Sequence, residues 1–392
     1  MNSIWKNYAS TLLLIAGLVV GGLCGVLFPQ ATHAIKPLGD IFLNLLFVLV
    51  VPLVFFSVAM AFSRLHTGGG TARVLVRTVF AFASLWLVCG ILSYLSTLVI
   101  NPLGDASGIS SPECSVQPKN WSEALTGALS VPDFPMLFSK GSLLPLIVFS
   151  ALLGTGVALT GEKGKPFAEF IQSGNAITAK TMSLLMKAAP IGLGCYFAGT
   201  IASVGGHLLG GYMRVFIIYW VLTLIVVLGL FPAIIRIARG RGSVRDWFKH
   251  ILPPSLTAMA TESSSVAIPG NIEAACGMGI DENVAETVVP LGTNLLKAGS
   301  VIGDVLKITF LLSLCGQTAS PVLCILLAIL ASVVTGAVVG GNVTGELLIC
   351  TMLGLPPEMV GIIMIIGTII DIPATLVNSQ STVVAAAITD RP

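Results

Sequence analysis

Apolar residues run along this chain in long blocks separated by short polar stretches. Crossing the hydrocarbon core of a bilayer takes about 20 apolar residues of helix. Six blocks come near that length: Tyr8–Phe28, Leu38–Phe62, Val74–Ile100, Leu143–Leu159, Thr178–Val204 and Met213–Ile237. They predict six membrane-spanning helices. Between Ile251 and Asp390 the apolar character continues, but Ser, Gly, Pro, Asn and charged residues break it up.

Two of these interruptions carry most of the functional signal. From Thr257 to Pro269, three consecutive serines (Ser263, Ser264, Ser265) and Pro269 interrupt an apolar run. An unbroken span has no use for them, whereas a helix that stops inside the membrane, turns and returns does. Irregular backbone at membrane depth survives only where protein or water satisfies it. Such breaks leave N–H groups and hydroxyls where an anion can sit. A second interrupted segment runs from Leu330 to Gly345. Two such segments, each followed by a longer helix, predict an internal inverted repeat with a site near the midplane. The competing explanation is that the serines bond back to the preceding turn or to a neighbouring helix.

Ionisable residues inside a span cost roughly 2.5–3.5 kcal/mol each on insertion scales. Glu262, Lys297, Asp304 and Asp371 are therefore functional candidates, with Lys307 nearer a helix end. Lys297, Ser300 and Asp304 share one helical face, and Asp304 and Lys307 stand at the i,i+3 spacing of an ion pair. Asp371, Thr375, Asn378 and Thr382 recur at i, i+4, i+7 and i+11, a polar stripe on an otherwise apolar helix. Interhelical hydrogen bonds would account for Thr and Asn, but they account poorly for Asp371.

Composition agrees: 55% of the chain is hydrophobic and 10% charged, against about 25% charged in soluble proteins. The net charge of +2 gives nucleic acid no footing. Cys24, Cys89, Cys195, Cys315 and Cys324 lie in apolar runs and read as small core residues. Arg64, Arg73 and Arg77, then Lys163 and Lys165, then Arg236 to Lys249, alternate with less basic loops. Positive-inside logic then puts the N- and C-termini in the cytoplasm of a multi-pass inner-membrane protein. The four histidines are scattered and no Cys-x-x-Cys occurs, so neither an enzyme nor a cofactor is expected.

At these residues the chain resembles the dicarboxylate/amino-acid:cation symporter family, the glutamate-transporter-like proteins. Ser263-Ser264-Ser265 with Pro269 resembles the family's first hairpin, and Pro290-Leu291-Gly292 with Gly299-Ser300 its seventh helix. Leu330-Ala331-Ser332 with Thr335 and Gly340-Gly341 resembles the second hairpin; Asp371, Thr375, Val377 and Asn378 resemble the eighth helix. The resemblance implies an all-α polytopic membrane protein with about eight transmembrane helices plus two re-entrant hairpins in inverted repeats. It also implies a homotrimer, surrounded by membrane lipid, with elevator-type scaffold and transport domains. Residues 1–72 would supply scaffold helices 1 and 2, 73–101 helix 3 of the transport domain, and 102–139 an extracellular loop. Residues 140–210 would supply scaffold helices 4 and 5, and 211–392 the rest of the transport domain. Carried over, solute contacts fall on Ser264, Ser265, Ser300, Val338, Asp371, Thr375 and Asn378, with Asp371 toward a solute amine.

The chain also departs from the family pattern. Ala374 stands where members with acidic substrates have arginine, so the expected solute is a small neutral amino acid. Lys297 keeps a dicarboxylate or acidic amino acid open as the alternative, and a channel or sensor on the same scaffold as another. Glu262 adds negative charge near the site. The seventh-helix sodium motif reads Leu296-Lys297-Ala298-Gly299-Ser300, without its oxygen-bearing side chains, and Thr382 replaces a later aspartate. Only partial oxygen sets remain for a hard cation: Gly292 with Asn378, or Asn294, Ser332, Val333 and Thr335. Coupling is expected to use protons, at Lys297 or Asp304, or to give way to exchange.

Overall fold

The computed structural model describes residues 2–63, 72–104, 130–139, 142–204, 207–240, 242–318, 320–335, 342–356 and 358–390, and every regular element among them is helical. The chain opens with α1 (Asn2–Leu27), α2 (Pro29–Ser63) and α3 (Ala72–Val99). Pro29 starts α2 at a position where its missing N–H costs nothing. Then come α4 (Leu143–Thr160), α5 (Lys165–Leu185) and α6 (Ala189–Val204). Here the structure corrects the expected fifth span, Thr178–Val204. The chain tightens into a 3-10 turn at Met186–Ala188, and a separate helix, α5, precedes it. Lys165, Glu169, Gln172 and Lys180 make α5 too polar to read as a span, yet its Ile171 and Met182 are buried.

α7 (His207–Ile225) continues through a π turn at Val226–Leu230 into α8 (Phe231–Arg239). Pro232 stands just past the π turn inside this continuous helix, where its missing N–H leaves a preceding carbonyl without its helical donor.

The remaining chain repeats one order of elements. α9 (Ser243–Thr261) and α10 (Ile268–Gly277) form hairpin 1, followed by α11 (Glu282–Leu295) and α12 (Ala298–Leu314). α13 (Pro321–Thr335) and α14 (Asn342–Met352) form hairpin 2, followed by α15 (Glu358–Ile369) and α16 (Asp371–Thr389). The break expected at the serine run is present between Thr261 and Ile268. The tip of hairpin 2, with Val338, Gly340 and Gly341, lies outside the described residues. α15 and α16 meet at a 68° bend.

Among the described residues, four stretches are long and apolar enough to cross a membrane: Ala34–Ser63, Val76–Val99, Pro145–Ala202 and Leu209–Arg239. The bent pair α15–α16 makes a fifth. Large apolar side chains such as Val48, Phe80, Leu98, Met213 and Leu228 point outward, which suits lipid and not water. The protein is an all-helical, multi-pass membrane protein. α16 is interior: every residue from Pro373 to Ala387 is buried. The polar stripe seen in the sequence therefore faces protein.

α1 and α2 pack chiefly on α6, and α2 also on α4 and α5, whereas α3 packs on α12, α13 and α16. The α1–α6 crossing depends on small residues. A Cβ on Gly17 would meet the carbonyl of Pro190, one on Gly21 that of Gly194, and one on Gly25 would come within 2.6 Å of the Ala198 carbonyl. Such close backbone approach is how membrane helices associate without a hydrophobic drive.

One cysteine differs from its expected role. Cys315 is disulfide-bonded. It caps the end of α12 and is only half-buried, so it is not a small residue packed in the core.

Candidate functional site

Two helix breaks face each other. α9 ends on Glu262, whose backbone is left-handed at φ 50° and ψ 32° and whose N–H still reaches Ala258 O. This is the one non-glycine residue with positive φ among those described. In the serine run that follows, Ser263 N reaches back to Ala258 O and Ser265 O accepts from Ile268 N, both at 3.3 Å, and Pro269 falls in the first turn of α10. Ser264 is buried and Ser265 half-buried. Opposite, α11 stops at Leu295 and α12 resumes at Ala298, with Leu296 extended between them.

The restart of α12 leaves free N–H groups, and Lys297 at its N-cap offers no side-chain acceptor. Asn378 of α16 supplies one. Its Oδ1 accepts from Gly299 N at 2.8 Å and Ser300 N at 3.2 Å, while its Nδ2 donates to Ser300 Oγ at 3.3 Å. The Tyr219 hydroxyl of α7 donates to Gly299 O at 2.7 Å. Gly299 itself is pressed against the Ala374 carbonyl, where a Cβ would collide.

Lys297, only 5% exposed, crosses to hairpin 1 and donates from Nζ to Ser264 Oγ at 3.2 Å. The Asp371 carboxylate interacts with it electrostatically. Asp371 opens α16 just past the 68° bend, where the helix dipole favours an anion. One small volume thus holds an ammonium, serine hydroxyls and the amide-capped start of a helix, with the charge of Asp371 within electrostatic reach.

One turn further along α12 lies a second charged group. Lys307 Nζ sits 3.2 Å from Asp304 Oδ1 and 2.8 Å from Glu346 Oε1 on α14. Ser332 Oγ on α13 lies 3.2 Å from Asp304 Oδ2. Asp304, Lys307 and Glu346 are all at most 4% exposed.

The expected residues therefore separate. Ser264, Lys297, Ser300, Asn378 and, through its charge, Asp371 gather at the two breaks. Asp304 and Ser332 belong to the second group. Ser265, Asn294 and Val333 line a different space, a cavity of about 530 Å³ that also touches Ser57 of α2 and Asn175 of α5. The Thr335 hydroxyl bonds Ala331 O at 2.9 Å, and Asn294 Nδ2 bonds Pro290 O at 3.0 Å. Gly292 packs against Thr382 and Phe82. Thr375 is buried on α16, and Val338 lies outside the described residues. Glu346 was not singled out from the sequence; a lone glutamate between Gly345 and Leu347 in an apolar run was its signal.

Known proteins resemble the chain over most of its length. A model of the sodium:dicarboxylate symporter family matches residues 11–391. A C4-dicarboxylate transport protein of Brucella anthropi is 28% identical over 319 residues, 78% of this chain and 69% of that protein. A C4-dicarboxylate transport protein of Rhizobium johnstonii is 26% identical over 374 residues, 90% of this chain and 82% of that protein. A proton/sodium-glutamate symport protein of Bacillus subtilis is 26% identical over 393 residues, 96% of this chain and 90% of that protein.

Proposed function

The chain belongs to the sodium:dicarboxylate symporter family, a family of symporters and not of enzymes, and from that premise we propose that it carries a small organic anion, a dicarboxylate or acidic amino acid, between hairpin 1, α12 and α16. The observation that carries this reading is the buried ammonium of Lys297, 3.2 Å from Ser264 Oγ and beside the start of α12. A buried cation at the positive end of a helix suits a carboxylate. The relatives named for C4-dicarboxylate and glutamate transport agree. This revises the expectation of a neutral amino acid, which rested on Ala374: the charge absent from α16 is supplied by Lys297, just ahead of α12. The neutral amino acid remains a second reading, because Asp371 beside Lys297 can neutralise it or hold a solute amine.

Coupling uses protons in this reading. Leu296 and Ala298 stand where the family motif has its oxygen-bearing side chains, and the Thr335 hydroxyl is engaged with its own helix. An elevator movement is supported by the way α1, α2, α4, α5 and α6 pack on one another while α3 joins the C-terminal helices. We place the protein in the bacterial inner membrane as a homotrimer with both termini cytoplasmic.

Uptake into proteoliposomes tests this. A labelled C4-dicarboxylate should accumulate under an inward proton gradient, without sodium, and unlabelled aspartate or glutamate should compete while alanine should not. Competition by alanine alone would favour the neutral reading, and uptake that requires sodium would end the proton version.

A further inference from the structure

The corner between α8 and α9 is tight. Gly240 turns the chain at φ 94°. The Ser243 hydroxyl donates to Gly240 O at 2.6 Å and stands 3.3 Å from Ile235 O, so the last turn of α8 and the first of α9 lie side by side. Trp247, fully buried, meets the Phe231 ring edge-on at 6.3 Å and fixes which way α9 faces. Trp247, Ile251, Pro254, Ser255 and Ala258 turn inward. Arg245, Phe248, Lys249, Leu252 and Leu256 turn outward at helical spacing.

That outward stripe changes character along its length. Arg245 and Lys249 open it, joined from α8 by the exposed Arg236. Phe248, Leu252 and Leu256, between 43% and 58% exposed, continue it toward the tip of hairpin 1. Water does not suit the apolar half and hydrocarbon does not suit the cations, so the stripe fits the membrane boundary. Among the described residues, no carboxylate lies within ion-pair distance of Arg236, Arg245 or Lys249. Nearby carboxylates are engaged: Asp390 holds Arg239 at 2.5 Å, and Asp281 accepts from Asn283 N and Val284 N at the start of α11. Asp246 is exposed on the same turn as Arg245, so three cations and one carboxylate leave the corner two positive charges. A bias of basic residues to one membrane face accounts for their number. It does not account for their place at the head of an apolar stripe.

We propose that the α8–α9 corner binds an anionic phospholipid, its headgroup phosphate held by Arg236, Arg245 and Lys249 and its acyl chains laid along Phe248, Leu252 and Leu256. A phosphodiester on two chains matches both halves of the surface, anion to cations and hydrocarbon to the stripe. α9 is the first arm of hairpin 1, so the lipid touches the element that carries Ser264.

Native mass spectrometry of the detergent-purified protein, offered dioleoyl phosphatidylglycerol and dioleoyl phosphatidylcholine together, tests the proposal. The wild type should retain phosphatidylglycerol several-fold over phosphatidylcholine. Replacing Arg236, Arg245 and Lys249 by glutamine should abolish that preference. Replacing Lys163, Lys165 and Lys180, also exposed, by glutamine removes the same charge elsewhere and should preserve it. Equal retention of the two lipids by the wild type would overturn the proposal, as would a preference unchanged in the corner variant or lost equally in both variants. Inorganic phosphate displacing the lipid as well as added phosphatidylglycerol does would show a plain anion site and overturn it too. The readout is lipid retention without solute, so failure here leaves the reading of the solute site untouched.

Discussion

A lysine ammonium held against a serine hydroxyl at a helix break brings a full positive charge to a place with little water to screen it. Replacing Lys297 by methionine keeps most of the stem and removes the charge. A hydrogen bond to a charged group is worth about 1.5–3 kcal/mol. The Kd of a dicarboxylate for Lys297→Met should therefore rise roughly ten- to hundredfold, while a neutral amino acid, if bound at all, should be unaffected or improved. Calorimetric titration of the purified variants checks this, and an unchanged dicarboxylate Kd would remove Lys297 from the solute site. At this scale the sequence was informative about single residues and poor at pairing them. Lys297 and Asp371 stood out because charges in apolar runs are costly. That Lys297 reaches Ser264, 33 positions away, depends on two breaks facing each other, and no periodicity states that. Glu346 stayed hidden because its partner lies on another helix.

Elements were easier to read where chain chemistry forces a break. Three serines followed by Pro269 marked hairpin 1, and Thr261 to Ile268 is indeed where the helix opens. α5 was missed because hydropathy over a window averages its polar face with its buried Ile171 and Met182. The close crossing of α1 and α6 was also invisible, since glycines spaced four apart (Gly17, Gly21, Gly25) gain meaning only once Pro190, Gly194 and Ala198 lie opposite them. The crossing makes a sharp prediction. Gly21→Leu puts a side chain into the Gly194 carbonyl and must push the helices apart. Size-exclusion profiles in mild detergent should lose their single peak and the melting temperature should fall by several degrees. Gly210→Leu, where a Cβ meets nothing within 4 Å, should leave both unchanged.

For the whole molecule, the repeat of a hairpin followed by a broken helix was legible as two interrupted segments in one apolar third. The division of the packing was not, because α3 joins the C-terminal helices across more than 200 positions, as in the Ser93 Oγ bond to Ile302 O at 2.8 Å. If that division lets one body slide past the other, the cavity shared by Ser57 of α2 and Val333 of α13 lies on the sliding surface. Cysteines at both positions, bridged by a short bifunctional reagent, should abolish uptake while leaving solute binding within a few-fold of the uncrosslinked protein. Uptake that continues at full rate with the bridge complete would rule out relative movement of the two bodies.

The most direct measurement is a structure of the protein with a C4-dicarboxylate bound. The account predicts one carboxylate within hydrogen-bond distance of Lys297 Nζ and Ser264 Oγ, close to the Asn378-capped start of α12. A solute anchored on Asp371 alone, with Lys297 turned away from it, would contradict the account.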